Sequence, residues 1–407
     1  MLDYIIVPII LIFGYGFKNR FRFLNAYDHR ILDLLFFYHM IMSFIFYLYI
    51  RTNGGDAIGY WEQTRDHDFT EIAHMMFLEQ NATASLLFFT HLPSKILDLD
   101  FFTGCMIFGV IGYIGLLYLY LIIKKLFPLN QFLSRVKILN FSIFPTLLFL
   151  PNFHFWSGGI GKDTLVFFAI SIIMYSLLSF RKYFFLLLLG VLISYFIRPH
   201  ITLMIFTGFG VAFLLKSNLM KYQKFFLILF ASILFFPLLS KVLEFVKIEE
   251  ATLESFDKFS SHKSEALASE ANSGIDLAGL PYPLQVLTFL YRPLFFDARN
   301  ILSLLASIEN LVWITLSLNF FNNNPFRTFK KSHFLILGSF LFWLIGALTF
   351  APVMSNLGII IRERNMFLPA FILFAIAGIA NTKKFRKYEW WLAKEKEKYY
   401  ANQPVKE

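Results

Sequence analysis

The sequence predicts an all-α polytopic membrane protein with about eleven transmembrane helices. Hydrophobic residues make up 57% of the 407 residues, charged residues make up 16%, and the mean hydropathy is +0.61. Soluble domains average about 45–50% apolar and about 25% charged residues, so this chain is too apolar for that class. Apolar stretches close to the roughly 20 residues that cross a bilayer recur along the whole chain.

Eleven helices account for these apolar stretches. They cover roughly residues 2–17, 31–50, 101–123, 138–156, 163–180, 183–198, 200–215, 225–245, 299–319, 333–351 and 364–381. The first helix is short for the hydrocarbon thickness. If it lies flat on the membrane, the predicted membrane side of every later loop stays the same.

Basic loops fix the predicted orientation, because short loops rich in Lys and Arg stay in the cytoplasm. The basic groups are Lys18/Arg20/Arg22, Lys124/Lys125, Arg135/Lys137, Arg181/Lys182, Lys216/Lys221/Lys224, Arg327/Lys330/Lys331 and Lys383/Lys384/Arg386/Lys387. They alternate with loops of mixed chemistry. The alternation predicts an N-terminus outside, a C-terminus in the cytoplasm and all mixed loops on the outer face.

We expect one integral membrane domain over residues 1–382 and a basic amphipathic tail over 383–407 on the cytoplasmic leaflet. Two outer loops, 51–100 and 247–298, are long enough to hold interfacial helices, and the polar run 249–276 is expected to be mobile. Membrane lipids account for the net charge of +10. Nucleic-acid binding is not needed to explain it.

An acidic turn, Gly54-Gly55-Asp56, follows the second predicted span directly. Glycines permit a sharp turn, and a carboxylate held near the membrane boundary is partly desolvated, which favours general-base chemistry. The alternative is a solvated turn acid. Tyr60 and Trp61 are expected as a platform for a sugar ring or as ordinary interface aromatics, and Glu62 is the second acid of the loop.

Lys162 and Asp163 stand at the predicted start of a helix, whose N-terminal amides favour an anion such as phosphate. A capping aspartate with a snorkelling lysine is the alternative explanation. The segment is not a nucleotide-binding P-loop, because its spacing differs.

Arg198 and His200 fall between two apolar stretches with almost no loop, so both are predicted at membrane depth, where charges usually face a cavity or a partner. Lipid-headgroup anchoring is the alternative. The other polar residues predicted on this face are Arg292, Asp297, Arg362 and Arg364. Several guanidiniums on one face suit a bidentate grip on phosphate or pyrophosphate. Glu309, inside a span, is expected to pair with an arginine or to anchor a helix.

Three histidines of the first outer loop, His67, His74 and His91, match no specific metal template. No cofactor is predicted, and a weakly held divalent cation is the alternative to scattered surface histidines. The single cysteine, Cys105, excludes an intrachain disulfide.

The acidic turn, within GGDAIGYWE, resembles multispan glycosyltransferases of the GT-C superfamily, which use polyprenyl-phosphate sugars. The segments WSGGIGKD, FIRPH and YRPLFFDARN resemble bacterial envelope polysaccharide polymerases of the Wzy and EpsG kind. The resemblance covers most of the chain in architecture and a few short motifs in sequence. It implies that Asp56 takes the catalytic acid position, and that Arg198, Arg292 and Arg362 handle pyrophosphate.

The expected function is transfer of a sugar or oligosaccharide from a polyprenyl-phosphate or pyrophosphate carrier to an acceptor glycan. The expected place is the outer face of a bacterial cytoplasmic (inner) membrane. The first alternative is a transporter or flippase for a lipid-linked glycan or another amphiphile, although such proteins usually bind substrate near the bilayer midplane. A structural subunit of an envelope complex is the second alternative.

Overall fold

The computed structural model describes residues 2–79, 81–127, 137–138, 141–246, 252–269, 274–275, 277, 279–381 and 394. It is helical except for one antiparallel pair of two-residue strands, Lys137–Ile138 and Phe141–Ser142. The predicted all-α class is confirmed for this part of the chain. The predicted tail, 383–407, lies outside the described residues apart from Lys394.

The α-helices are α1 (Asp3–Gly16), α2 (Ala26–Asn53), α3 (Asp56–Asp66), α4 (Phe69–Phe77), α5 (Ala82–Thr90), α6 (Phe101–Leu126), α7 (Ile143–Thr146), α8 (Pro151–Phe155), α9 (Lys162–Ser176), α10 (Phe184–Ile197), α11 (Pro199–Lys216), α12 (Lys221–Val246), α13 (Leu253–Ser269), α14 (Tyr282–Tyr291), α15 (Ile301–Asn322), α16 (Pro325–Lys331), α17 (Phe334–Phe350), α18 (Leu357–Arg364) and α19 (Leu368–Ala380). Among the described residues, five helices are long and apolar enough to cross a membrane: α2, α6, α11, α12 and α15. Helices α10 and α17 are apolar but shorter. The protein is therefore an all-helical chain with several helices suited to a membrane.

One predicted span, 138–156, is wrong as a continuous helix. After the strand pair, the chain forms the single turn α7, a 3₁₀ turn over Leu147–Phe149 and the short helix α8. Pro145 and Pro151 interrupt the helical hydrogen bonding, because proline has no backbone N–H to donate. Hydropathy alone does not detect this break. Irregular backbone is tolerated at membrane depth only where protein surrounds it, and Phe144, Leu148 and Phe153 here are fully buried.

Buried polar side chains hold this broken segment in place. Glu309 of α15 accepts hydrogen bonds from the backbone N of Asn152 at 2.9 Å and from its Nδ2 at 3.1 Å. The Nδ1 atoms of His154 and His39 lie 2.9 Å apart, and His154 Nε2 donates to the carbonyl of Leu148 at 2.6 Å. Glu309 therefore anchors the start of α8, which is the second of the two roles expected for it.

The helices run between two chemically different ends of the bundle. At one end, Lys124 of α6 pairs with Asp28 of α2, and Lys125 donates to the hydroxyl of Tyr175 at 3.0 Å. At the other end, Asp3 of α1 accepts a hydrogen bond from the backbone N of Asp100, just before α6, at 2.9 Å. Helices α1, α2 and α6 therefore alternate in direction as the basic loops predict.

The loop over residues 51–100, which is predicted on the outer side, forms helices as expected: α3, α4, α5 and a π-helical turn over His91–Ile96. In the second predicted outer loop, the polar run expected to be mobile contains α13, which is docked on the loop after α17. Ser355 Oγ donates to the carbonyl of Ser264 at 2.5 Å, and its own carbonyl accepts from the backbone N of Ile275 at 2.7 Å.

Helix α6 lies at the centre of the bundle and is the most deeply buried of the long helices. Its Gly112 lets the backbone of the loop after α8 approach closely: a Cβ at this position would lie 1.9 Å from the carbonyl oxygen of Ser157 and 2.8 Å from His39 Nε2. By contrast, no atom lies within 4 Å of a Cβ built at Gly210 in α11.

We predict that Gly112→Ala destabilises the protein by about 1–3 kcal/mol, because the added methyl group displaces buried backbone. Gly210→Ala is the matched control, and it should be neutral or slightly stabilising, since alanine is the better helix former. Thermal unfolding in detergent measures both. Equal unfolding temperatures for the two variants would contradict this packing.

Candidate functional site

Six ionisable side chains meet at the end of the bundle opposite to Lys124. We call this group the ion cluster; its members are Asp56 (α3), Lys162 and Asp163 (α9), Arg198 (before α11), and Arg362 and Glu363 (α18). They come from four segments that are far apart in sequence. All six positions lie in mixed loops that the sequence predicts on one face, and five of them, all except Glu363, were predicted as site residues.

Arg198 lies at the buried inner end of the cluster. Its Nη2 donates to Asp163 Oδ1 at 2.7 Å and to Glu363 Oε1 at 3.0 Å, and its Nη1 donates to Glu363 Oε2. Its side chain is only 10% exposed, so the two carboxylates neutralise a guanidinium that is largely removed from water. Because both terminal nitrogens bind carboxylates, Arg198 positions its neighbours and is not free to grip a substrate phosphate as predicted.

Arg362 contacts both the buried Asp163 and the exposed Asp56. Its Nε donates to Asp163 Oδ2 at 2.5 Å, and its Nη1 lies 3.6 Å from Asp56 Oδ2. The Asp163 carboxylate raises the pKa of Arg362, so this arginine stays charged. The guanidinium also lies 5.7 Å from the ring centroid of Trp156, a distance that suits a cation–π contact.

Asp56 is the exposed member of the cluster. It is the first residue of α3, and the preceding Gly54 and Gly55 have φ angles of 74° and 145°, which strongly favour glycine. The Asp56 side chain is 64% exposed. The expectation of a partly desolvated carboxylate is therefore wrong; the residue faces solvent and interacts with Arg362 at the rim.

Lys162 differs from the two arginines in its partners. Its Nζ donates to Thr83 Oγ1 at 3.1 Å and lies 5.5 Å from the ring centroid of Tyr60. Within the part of the chain that the structure describes, no carboxylate oxygen lies within 4 Å of this nitrogen. Burial lowers the pKa of Lys162 to about 8, and the nearby Arg198 and Arg362 add to this effect.

The remaining residues of the acidic loop do not join the cluster. Trp61 is only 3% exposed, and its ring packs so closely on α6 that a Cβ at Gly104 would lie 2.5 Å from it. Trp61 is thus a core residue and not a sugar platform. Glu62 is exposed, and six residues along a helix turn its side chain about 120° away from that of Asp56. The two acids therefore do not form a pair.

Arg292 forms a separate ion pair. Its Nε and Nη2 donate to the two carboxylate oxygens of Asp297 at 3.0 and 2.5 Å, and the backbone N of Leu294 also donates to Asp297 at 2.8 Å. Burial opposes ionisation of Asp297, but Arg292 and Leu294 outweigh it and lower the pKa of this carboxyl. The side chain of Arg292 is thus bound by Asp297, five residues along the chain, and makes no ion pair with a member of the ion cluster among the described residues.

Arg364 is buried and has a structural partner set. Its Nη1 donates to the carbonyl of Leu290 at 2.7 Å and its Nη2 to Asn310 Oδ1 at 2.5 Å. These contacts place a cation at the C-terminus of α14, where exposed carbonyls favour positive charge. His200, in α11, is partly exposed, with its ring 5.8 Å from that of Phe350. The side-chain contacts of Arg364 therefore lie outside the ion cluster and hold α14 and α15 together.

Three contributors were not predicted as site residues. Glu363 lies between Arg362 and Arg364, which were both predicted as site residues. Its negative charge is the sequence signal that could have identified it. Thr83 and Trp156 carried no sequence signal that links them to Lys162 or Arg362. Of the histidines, His67 and His74 lie 3.4 and 3.2 Å from Glu71 and Glu79. No group of three or more candidate metal ligands occurs among the described residues.

The chain matches no protein-family model, no curated protein and no solved structure.

We predict that Arg198→Gln lowers the free energy of unfolding by about 3–5 kcal/mol, because Glu363 loses the cation that binds both of its oxygens and the buried Asp163 keeps Arg362 alone. Lys162→Gln, which removes the same charge from the same cluster, should cost less than about 1 kcal/mol, since no carboxylate loses a direct partner. Thermal or denaturant unfolding in detergent compares the two variants. Similar losses would contradict the assigned hierarchy of partners.

Proposed function

We propose that the protein is a membrane glycosyltransferase or polysaccharide polymerase. It transfers a sugar or oligosaccharide from a polyprenyl-phosphate or pyrophosphate carrier to an acceptor glycan. The observation that carries this proposal is the ion cluster, which combines an exposed carboxylate with a cation that has no carboxylate partner among the described residues. A base and a phosphate ligand are the two groups that this transfer requires.

The proposed reaction assigns one role to each side of the cluster. Asp56 takes the proton of the acceptor hydroxyl while the acceptor oxygen forms a bond to the anomeric carbon of the donor. The bond between this carbon and the phosphate oxygen breaks, and its electron pair leaves with the phosphate. Lys162 and Arg362 stabilise the charge that develops on the leaving group. Because the donor is already activated, the step needs no nucleotide.

Arg198, Asp163 and Glu363 have a positioning role in this scheme. Their ion pairs are buried, and they fix the direction of the Arg362 guanidinium through Asp163. This arrangement revises the expectation that Arg198 itself takes part in catalysis. A catalytic group must be held within a fraction of an ångström by its supporting contacts, and buried charge pairs of this kind provide such support.

A transporter or flippase is the second candidate, and one observation favours it. The broken segment from α7 to α8 and the buried groups His39, His154 and Glu309 lie inside the bundle. Many transporters bind substrate near the bilayer midplane at broken helices. In this protein, however, the described polar atoms of the segment mostly satisfy one another, and Lys162 with Arg362 lies at the helix ends.

We also propose that the ion cluster faces the outside of a bacterial cytoplasmic membrane, because the opposite end carries the basic groups. Glu62→Cys should react from outside the cell with a membrane-impermeant thiol reagent, and Arg181→Cys should react only after permeabilisation. Both positions are exposed, and the native Cys105 is buried, so background labelling should be low. The reverse pattern would refute this orientation.

We predict that Asp56→Asn lowers transfer by about 10²–10⁴-fold, because the amide cannot accept the acceptor proton. Membranes that contain the protein are supplied with radiolabelled lipid-linked glycan, and extension is followed on gels. Asp66→Asn, an exposed acid on the same helix, is the matched control and should retain activity. Full activity of Asp56→Asn would favour the transporter.

A further inference from the structure

We propose that Arg362 and Lys162 form a binding site for one phosphate group, and that the Asp56 carboxylate occupies this site in the unliganded protein. This inference rests on the proposed function and deepens it, because it names the ligand and gives Asp56 a second role. The carboxylate stands in for phosphate oxygens, and the arriving phosphate displaces it.

The contact between Asp56 and Arg362 is the weakest ion pair of the cluster. Its shortest distance is 3.6 Å, whereas Asp163 lies 2.7 Å from Arg198 and 2.5 Å from Arg362. Water reaches it, since the side chain of Asp56 is 64% exposed and that of Arg362 is 27% exposed. Exposed pairs of this kind contribute little to stability, so a competing anion replaces Asp56 at low cost.

Lys162 provides the second cation of the proposed site. Its direct contacts are a hydroxyl, from Thr83, and the ring of Tyr60. Asp56 acts on Lys162 electrostatically and favours its charged form, as Asp163 does. Lys162 also begins α9, whose first backbone N–H groups and positive dipole end favour an anion. An anion between Lys162 and Arg362 therefore meets two cations and a helix N-terminus.

The charges of the cluster support an exchange of one anion for another. Lys162, Arg198 and Arg362 carry three positive charges, and Asp56, Asp163 and Glu363 carry three negative charges. If Asp56 alone left, one partly buried positive charge would be uncompensated. A phosphate with a charge between −1 and −2 restores the balance when it takes the position of Asp56.

The exchange has a consequence for the order of binding. While Asp56 contacts Arg362, its carboxylate is directed toward that cation and is not free to meet an acceptor hydroxyl. The donor phosphate takes over Arg362 and releases Asp56 toward the acceptor hydroxyl. Asp56 thus becomes available as a base only when the donor is bound. The acceptor hydroxyl is therefore activated only after the donor is in place.

Binding of farnesyl phosphate to the purified full-length protein in detergent tests the exchange. Isothermal titration should show that Asp56→Asn binds this probe about three- to tenfold more tightly than the wild-type protein, because the competing anion is gone. Asp66→Asn makes the same charge change on α3 and should bind like wild type. Lys162→Gln should weaken binding at least about tenfold in both backgrounds.

Inorganic phosphate provides a second arm of the experiment. The same relative gain for Asp56→Asn with this ion supports a site for the phosphate group, whereas a gain restricted to farnesyl phosphate assigns the effect to the isoprenoid chain and overturns the inference. Equal or weaker binding by Asp56→Asn also overturns it and leaves the proposed function intact. If neither protein binds farnesyl phosphate, the proposed function fails as well. Unfolding curves verify that each variant is folded.

Discussion

The bidentate contact of Arg198 with Glu363, together with its hydrogen bond to Asp163, is the interaction on which the candidate site depends. It joins α9, the junction of α10 and α11, and α18 in a region where unpaired charges would be costly. Arg198 donates to both carboxylates, and each carboxylate compensates part of its charge. Through Asp163, the same interaction sets the position of Arg362. Arg362 in turn contacts the exposed Asp56.

The sequence was sufficient to predict that Lys162, Arg198 and Arg362 share one face, because positive-inside alternation reports the side of each loop. It was not sufficient to predict their partners. Arg292 carries the same charge and its side chain is about as exposed as that of Arg362, yet Asp297 five residues away pairs with it. Trp61 and Trp156 are equally aromatic, and only tertiary packing buries the first and brings the second to Arg362. Side-chain partners depend on distances that composition does not encode.

The broken segment shows a second limit of hydropathy. Residues 138–156 have the apolar character of a span, but Pro145 and Pro151 interrupt the helix. The acceptor for the backbone N–H of Asn152, Glu309, lies more than 150 residues along the chain. A buried acid in a span was noticed in the sequence. Its connection to a proline-interrupted segment required the fold, because the two elements become neighbours only when α15 packs beside α8.

The two ion pairs of Arg362 differ in their access to solvent, and this difference makes them unequal toward dissolved ions. Mobile ions screen exposed charges over about 8 Å at physiological ionic strength, and they screen buried pairs far less. Added salt therefore weakens the attraction between Arg362 and Asp56 while leaving the contact with Asp163 nearly unchanged. The electrolyte of the surrounding medium thus acts on the outermost acid of the cluster alone.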